Sequence, residues 1–327
     1  MGEFVPVIYG RPDDRPDELD SLRNAQVVAE TLARLGYATD MVEVDLDLSV
    51  LERLAKKQPF VVFNLVEGIR GDGALGHLAG AALDHLRVPY TGASTDAYQK
   101  SASKILTKMV LEKAGLPTAR WWRDEAPSPL PSKNGPGRVI VKSVSEHASF
   151  GMDQKSVVDR SRAMDEIAAR EKKFGGAFFC EDYIPGREFN ISVLEMRNGP
   201  KVMPLAEMLF DDLPEGVLPI IDYTAKWDEA APSYQLTQRR FAAERDEPEL
   251  AKKLHDLTLA CWRAADLSGY ARVDFRVAPD GAPYILEFNA NPCLAPDAGF
   301  AAALAEAGIG YDEGIAAIVE AARPRSG

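Results

Sequence analysis

The sequence predicts an α/β protein that begins with a parallel sheet and closes on a long antiparallel hairpin. Three observations support this. From residue 5 to residue 66, short apolar runs alternate with helical periodicity, the rhythm of strand–helix units. The run "FVVFNLV" (60–66) is apolar almost throughout, as in a strand covered on both faces. The stretch "YARVDFRVAPDGAPYILEFNANP" (270–292) reads as two strands around a Pro-Asp-Gly turn.

The elements follow in order. "VPVIYG" (5–10) is a short strand ending in glycine. From about Asp17 to Leu35, the residues Leu22, Val27, Val28, Leu32 and Leu35 recur at helical spacing, and Gly36 is the stop signal. "YATDMVEV" is a second strand, "LSVLERLAKK" a helix, and "FVVFNLV" the third strand. Together they predict a parallel α/β domain of about a hundred residues. Ser101 to Ala114 is an amphipathic helix ended by Gly115, with Pro117 beyond. "EAPSPLPSKNGPG" (125–137) is a loop by composition. A strand "RVIVKSV", a loop, a helix over about 156–173 and a strand "AFFCEDYI" come next. A Pro-Gly turn enters "REFNISVLE", and "KVMPLAEMLF" is a further strand. Residues 211–247 read as irregular, and a long helix (248–267) leads into the hairpin.

The 327 residues suit two or three domains with real cores. A net charge of −12 argues against a general nucleic-acid binder and against an anionic membrane surface. It leaves room for a local cationic pocket. Cys180, Cys261 and Cys293 are far apart and suggest neither a disulfide framework nor a zinc site. Cys180 and Cys261 sit in apolar contexts, where a buried inert thiol is expected. A basic stretch followed by an apolar core is absent from the N-terminus, and no apolar run approaches a membrane span, so the expected location is cytoplasmic.

The hairpin carries the chemistry. Strand side chains alternate, so Arg272 and Asp274 share a face, as do Glu287 and Asn289. Pairing the arms could place all four on one surface. Two carboxylates and an amide oxygen are hard donors suited to Mg²⁺, which completes its shell with water and nucleotide phosphates. Arg272 beside them could hold developing negative charge. The alternative is a solvated sheet face with incidental charges. The apolar character of Val273, Phe275, Ile285, Leu286 and Phe288 favours a site. Lys142 ends the strand "RVIVK", Lys104 stands near the start of a helix and Lys226 sits in "DYTAKW". Each alone reads as a surface lysine; three cations near a magnesium site fit a polyphosphate.

These motifs together resemble the ATP-grasp superfamily, and within it the D-alanine–D-alanine ligases and their relatives. "ARVDF…YILEFNANP" is similar to the family's arginine, aspartate and glutamate–x–asparagine hairpin. "FFCEDYIPGREFNISVLE" resembles its adenine and ribose segment, and "VPYTGASTDAYQKSASKILTKMVLEKAGLPT" its link from the first domain to the ATP-binding part. "DYTAKW" resembles a further family motif. The resemblance runs from about residue 60 to 300. It implies an N-terminal α/β domain (1–100), a small ATP-grasp subdomain with a phosphate lid (101–184) and a C-terminal subdomain (185–327), with ATP bound between two sheets.

The resemblance also implies a carboxylate–amine ligation through an acyl phosphate, releasing ADP and phosphate, with amino acids or an amino acid and a peptide as substrates. Position by position, it gives Lys104 and Lys142 to the ATP phosphates. It places Glu181, Tyr183 and Ile184 along the adenine edge through backbone groups, Leu286 on the ring and Glu188 on the ribose. Asp274, Glu287 and Asn289 would hold two magnesium ions. Arg272 would stabilise the tetrahedral intermediate, and Lys226 the transferred phosphate. Relatives are often dimers, although no stretch here marks an interface.

The chain departs from the family at the lid and the substrate subsites. The lid "SVSEHASFGM" has His147 and Ala148 where glycine and serine are usual. Here His147 reads as a surface residue or a phosphate contact. "YGRPDDRPDELDSL" lacks the family's glycine-rich turn. Glu67 stands where histidine is usual, Trp227 for a tyrosine, Cys293 for a glycine and Ala298 for a serine. A retained ATP site beside altered substrate positions predicts the same reaction on substrates other than the standard D-alanine pair. Glu67 is the candidate for a substrate ammonium and Trp227 for the pocket wall, while Cys293 either shapes that wall or is an inert thiol. The alternatives are a D-alanine–D-alanine ligase with a divergent pocket, a nucleotide-binding regulator without turnover, or phosphotransfer without ligation.

Overall fold

The computed structural model describes residues 2–12, 15–124, 137–145, 149–210, 213–227 and 238–322. The loop expected over 125–137 therefore lies outside it except for Gly137, as do the lid residues Glu146, His147 and Ala148.

Three sheets form. The first is parallel, in the order β2-β1-β3, with β1 at Val7–Gly10, β2 at Met41–Val44 and β3 at Phe63–Asn64. Helices α1 (Pro16–Arg34) and α2 (Ser49–Ala55) make the crossovers that parallel pairing requires. β3 is shorter than its apolar run, because Val62 forms an isolated parallel bridge with Tyr90 rather than extending the ladder. Val61, Val62, Phe63, Leu65 and Val66 are nonetheless all buried, as covering on both faces demands.

The single helix expected over 101–114 is two, Thr95–Ala102 and Lys104–Lys113. Ser103 between them is extended, and its hydroxyl caps the second helix by accepting from the Leu106 N–H at 3.4 Å. The break puts Lys104 at the first turn of a new helix.

The second sheet is antiparallel, in the order β4-β7-β5-β6: Trp121–Trp122, Phe178–Asp182, Arg138–Ser143 and Val157–Asp159. β6 occupies the start of the helix expected over 156–173, which begins only at Ala163. The β-branched Val157 and Val158 pair with Ile140 and Val139 instead, which suits their restricted side chains.

The third sheet runs β11-β10-β8-β12-β13, with β9 also paired to β8. β8 is Arg187–Met196, β12 Tyr270–Val277 and β13 Pro283–Asn289. "KVMPLAEMLF" contributes to two strands, β9 (Gly199–Val202) and β10 (Ala206–Leu209). Pro204, which has no N–H for a ladder, lies between them. The region expected to be irregular, 211–247, holds the short helix Tyr223–Trp227, β11 at Gln238–Arg240 and a helical turn at Ala243–Asp246.

The helix Pro248–Ala264 buries Leu254, Cys261 and Trp262 against Phe189, Ile191, Val273 and Phe275 on one face of this sheet. Its other face carries Glu188, Arg272 and Asp274, and at one end of it Leu194 and Tyr270 join a second core. Two terminal helices absent from the sequence expectations, Gly299–Glu306 and Tyr311–Ala321, share a core with α1 through Leu304, Ile318, Val28 and Leu32. The N-terminal unit is thus packed directly on the C-terminal one.

Gly186 makes the turn from β7 into β8, and so joins the second sheet to the third. Its φ is +120°, and a Cβ there would stand 2.2 Å from the Val277 carbonyl oxygen. Only glycine satisfies both constraints. Among the described residues, no helix is long and apolar enough to cross a membrane.

Candidate active site

In the hairpin, Arg272 lies opposite Asn289 and Asp274 opposite Glu287. Period-two alternation therefore puts all four on one face, with Val273, Phe275 and Phe288 buried on the other. The register then shifts, because Phe275 pairs with Ile285, leaving Leu286 as an extra residue. A bulge of this kind re-aims a side chain, and Leu286 lines the same cleft as the four polar residues.

The second sheet supplies the opposing wall. Its Val139, Val141 and Cys180 pack with the helix Ala163–Phe174. Ile140, Lys142 and Glu181, which alternate with them, face the cleft. The cleft encloses about 900 Å³. It brings together Lys104, Lys142, Glu181, Tyr183, Ile184 and Glu188, the hairpin face with Leu286, and Lys226. Glu67 and Cys293 also line it. Trp227 ends the helix that carries Lys226, and its side chain lies outside what the structure describes. A more open groove of about 1210 Å³ runs behind the hairpin along Leu250, Leu257 and Tyr284, but gathers none of these groups.

Arg272 donates to both carboxylate oxygens of Asp274, at 2.7 and 2.8 Å. Burial works against the Arg272 charge, but Asp274 first, then Glu287 and Glu188, outweigh it and raise its pKa. Glu287 Oε2 is 3.7 Å from Lys104 Nζ, and Asn289 Oδ1 accepts from the Asn291 N–H at 2.8 Å. Among the described residues, no three His, Cys, Asp or Glu side chains are grouped to hold a metal by themselves. Asp274, Glu287 and Asn289 offer two carboxylates and one amide oxygen. Such a set fits a magnesium ion that arrives with phosphate oxygens and water, rather than one caged by protein alone.

Around Lys142 there is a buried ion triad. Glu181 Oε1 is 2.5 Å from Lys142 Nζ, and Oε2 is 2.5 Å from Lys108 Nζ. Burial alone would raise the Glu181 pKa, yet the two lysines bring it below the ordinary value. Lys142 is raised, because its carboxylate neighbours overcome burial, whereas burial lowers Lys108. The side chain of Glu181 is thus spoken for by lysines.

At the end of the cleft lined by Tyr183 and Ile184, the Tyr183 N–H donates to the Arg138 carbonyl at 3.1 Å. The Ile184 carbonyl accepts from Arg276 Nε at 3.1 Å. Arg276 also donates to Glu188 Oε2 at 3.2 Å and to the Pro219 carbonyl at 2.9 Å. Burial raises the Glu188 pKa, with Arg276 opposing.

Partial loss of water around its ammonium, then the charge of Arg272, lower the pKa of Lys226, although much of the residue is exposed. Cys293 Sγ lies 3.6 Å from Asp20 Oδ2 on α1. Burial, then Glu67 and Asp20, push the Cys293 thiol up to about 12, which keeps it protonated near neutral pH. Burial also raises the Asp20 carboxyl, which Cys293 partly offsets.

Sequence reasoning did not find Lys108, Arg276 or Asp20. Lys108 falls four residues after Lys104 on a helix, where a lysine ordinarily reads as exposed. Arg276 continues the alternation Arg272–Asp274–Arg276, a signal that was available in the strand itself.

With this geometry established, comparison with known proteins gives a consistent picture. A family model described as "D-ala D-ala ligase C-terminus" matches residues 132–320, more than half of the chain. An uncharacterized protein of Sinorhizobium fredii, y4sG, is 29% identical, covering 98% of this chain and 95% of its own. A D-alanine–D-alanine ligase of Aquifex aeolicus is 28% identical, over 88% of this chain and 89% of the relative. Among solved structures, the D-alanine–D-alanine ligase of Bacillus anthracis complexed with ATP superposes with a TM-score of 0.74. It has 20% identity and covers 98% of this chain and 97% of that one.

Proposed function

We propose, given that this chain belongs to the D-alanine–D-alanine ligase family of ATP-grasp proteins, that it joins small amino-acid or peptide substrates through an acyl phosphate. It is an ATP-dependent ligase that forms a C–N bond. The observation that carries the reading is the single cleft in which the Arg272–Asp274–Glu287–Asn289 face meets Lys142 and Lys226.

The chemistry follows from charge. A carboxylate is a poor electrophile, so its oxygen attacks the γ-phosphorus of ATP and ADP leaves. Lys104 and Lys142 hold the phosphates, and Lys226 meets the group in transfer. Asp274, Glu287 and Asn289 would hold magnesium, which neutralises phosphate charge when bound. The amine then attacks the acyl carbon, Arg272 offsets the oxyanion charge, and phosphate departs with the amine proton released. Leu286 packs on the adenine and Glu188 binds the ribose. Tyr183 and Ile184 border the base, with Glu181 behind them holding Lys142. A homodimer is part of the same reading.

Substrates other than two D-alanines are favoured by what lines the cleft near Lys226. Glu67 and Asp20 line it there, with Cys293 beside Asp20. Glu67 receives an ammonium, and Cys293 limits the side chain admitted. The test is a screen of amino acids, singly and in pairs, for ATP-dependent phosphate release, with mass spectrometry of the products. An amide product from a pair other than two D-alanines is the expected result. Turnover with D-alanine alone would return the protein to its standard relatives, and a phosphorylated product without an amide would overturn ligation.

A further inference from the structure

We propose that Lys108, which does not line the cleft, sets the charge with which Lys142 meets the nucleotide phosphates. The inference rests on the phosphate-binding role of Lys142 given above and adds to it a positioning residue.

Glu181 and Lys108 are each 1% exposed. The carboxylate offers one oxygen to each lysine, at 2.5 Å on both sides. Lys142 lines the cleft, and Lys108 lies behind it. A carboxylate paired with Lys142 alone would make a neutral couple, and phosphate would have to compete with Glu181 for the ammonium. With Lys108 on the second oxygen, the group of three carries a net charge of +1, and that charge is presented through Lys142.

Lys108 is also fixed in place. Its Nζ donates to Thr118 Oγ1 at 2.8 Å, and that hydroxyl donates to the Ile285 carbonyl at 2.8 Å. The chain of bonds ties the helix of Lys108 to β13, one residue before Leu286. Lys104, at the start of that helix, approaches Glu287 on the same strand. Lys108 therefore holds Glu181 in register with the hairpin that carries the metal-binding face.

A purely structural role, in which Lys108 only neutralises a buried carboxylate for folding, makes a different prediction. The discriminating measurement is the affinity of ATP relative to adenosine, by titration calorimetry on the full chain. Lys142→Met should weaken ATP but not adenosine. Lys108→Met should weaken ATP by about tenfold or more, the effect of one unit charge at intermediate dielectric, with adenosine unchanged. The double variant Lys108→Met with Glu181→Gln restores the net +1 on Lys142 and should bind ATP within about threefold of wild type. An unchanged ATP-to-adenosine ratio in Lys108→Met would overturn the proposal. So would a double variant as weak as Lys142→Met, a result that stands even where Lys108→Met alone does not fold. Unchanged ATP affinity in Lys142→Met would remove the phosphate role of Lys142 itself, and with it this inference.

Discussion

Arg272 grips Asp274 through both carboxylate oxygens, so a candidate oxyanion stabiliser and a candidate metal ligand form one unit before any nucleotide enters. The pair is mostly withdrawn from solvent, with Arg272 23% and Asp274 8% exposed. Arg272→Met should lower turnover by roughly 10²–10³, the loss typical of a transition-state donor. It should also destabilise the fold by about 3 kcal/mol, because Asp274 is left without its partner. ADP release and urea unfolding check the two effects separately. Turnover lost without any loss of stability would mean that Asp274 finds another cation.

Asp274→Asn and Glu287→Gln should raise the magnesium concentration needed for half-maximal ADP release by about ten- to a hundredfold. Asp280→Asn, in the exposed turn of the same hairpin, should leave it unchanged. A magnesium dependence indifferent to all three changes would move the ion elsewhere.

The lowered pKa of Lys226 gives a pH prediction with a definite sign. A lysine is cationic below its pKa, so a depressed value loses the charge at lower pH than an ordinary lysine. Turnover should therefore fall on the alkaline side earlier than a free amine would dictate. Lys226→Arg, which stays charged throughout, should flatten that limb of the kcat profile. An identical alkaline limb in the arginine variant would assign it to another group.

Glu67→Ala should raise KM for the amine substrate by about tenfold or more while KM for ATP changes little. Equal increases in both would show that Glu67 shapes the cleft as a whole rather than receiving an ammonium.

Gly186→Ala should cost about 1–3 kcal/mol or more, since its φ of +120° is strained for alanine and its Cβ meets the Val277 carbonyl. Thermal unfolding measures this directly. A melting temperature equal to wild type would require the turn between the two sheets to rebuild.

The hairpin was legible because strand alternation is local: four polar groups at fixed parity must share a face whatever surrounds them. The parallel sheet was legible for the same reason, through buried runs such as Val61 to Val66. What stayed hidden depends on tertiary contact. Nothing in the order of residues says that the second lysine of Lys104-x-x-x-Lys108 turns inward onto Glu181. Asp20 looks like a solvated helix residue until α1 is laid beside Cys293. The bulge that frees Leu286 is invisible until Phe275 is seen to pair with Ile285. Local sequence misled at the helix expected over 156–173, where Val157 and Val158 had a better partner in β5.

Arg276 fastens Ile184, Glu188 and Pro219 with one guanidinium, and so joins its own strand to two other stretches of chain, the turn into β8 and the segment before Tyr223. That end of the cleft is accordingly held as a unit: the stretches loosen or hold together. A descendant of this protein that reshaped this end of the cleft would have to revise several of these positions in concert, since exchanging the arginine by itself would set all three contacts adrift.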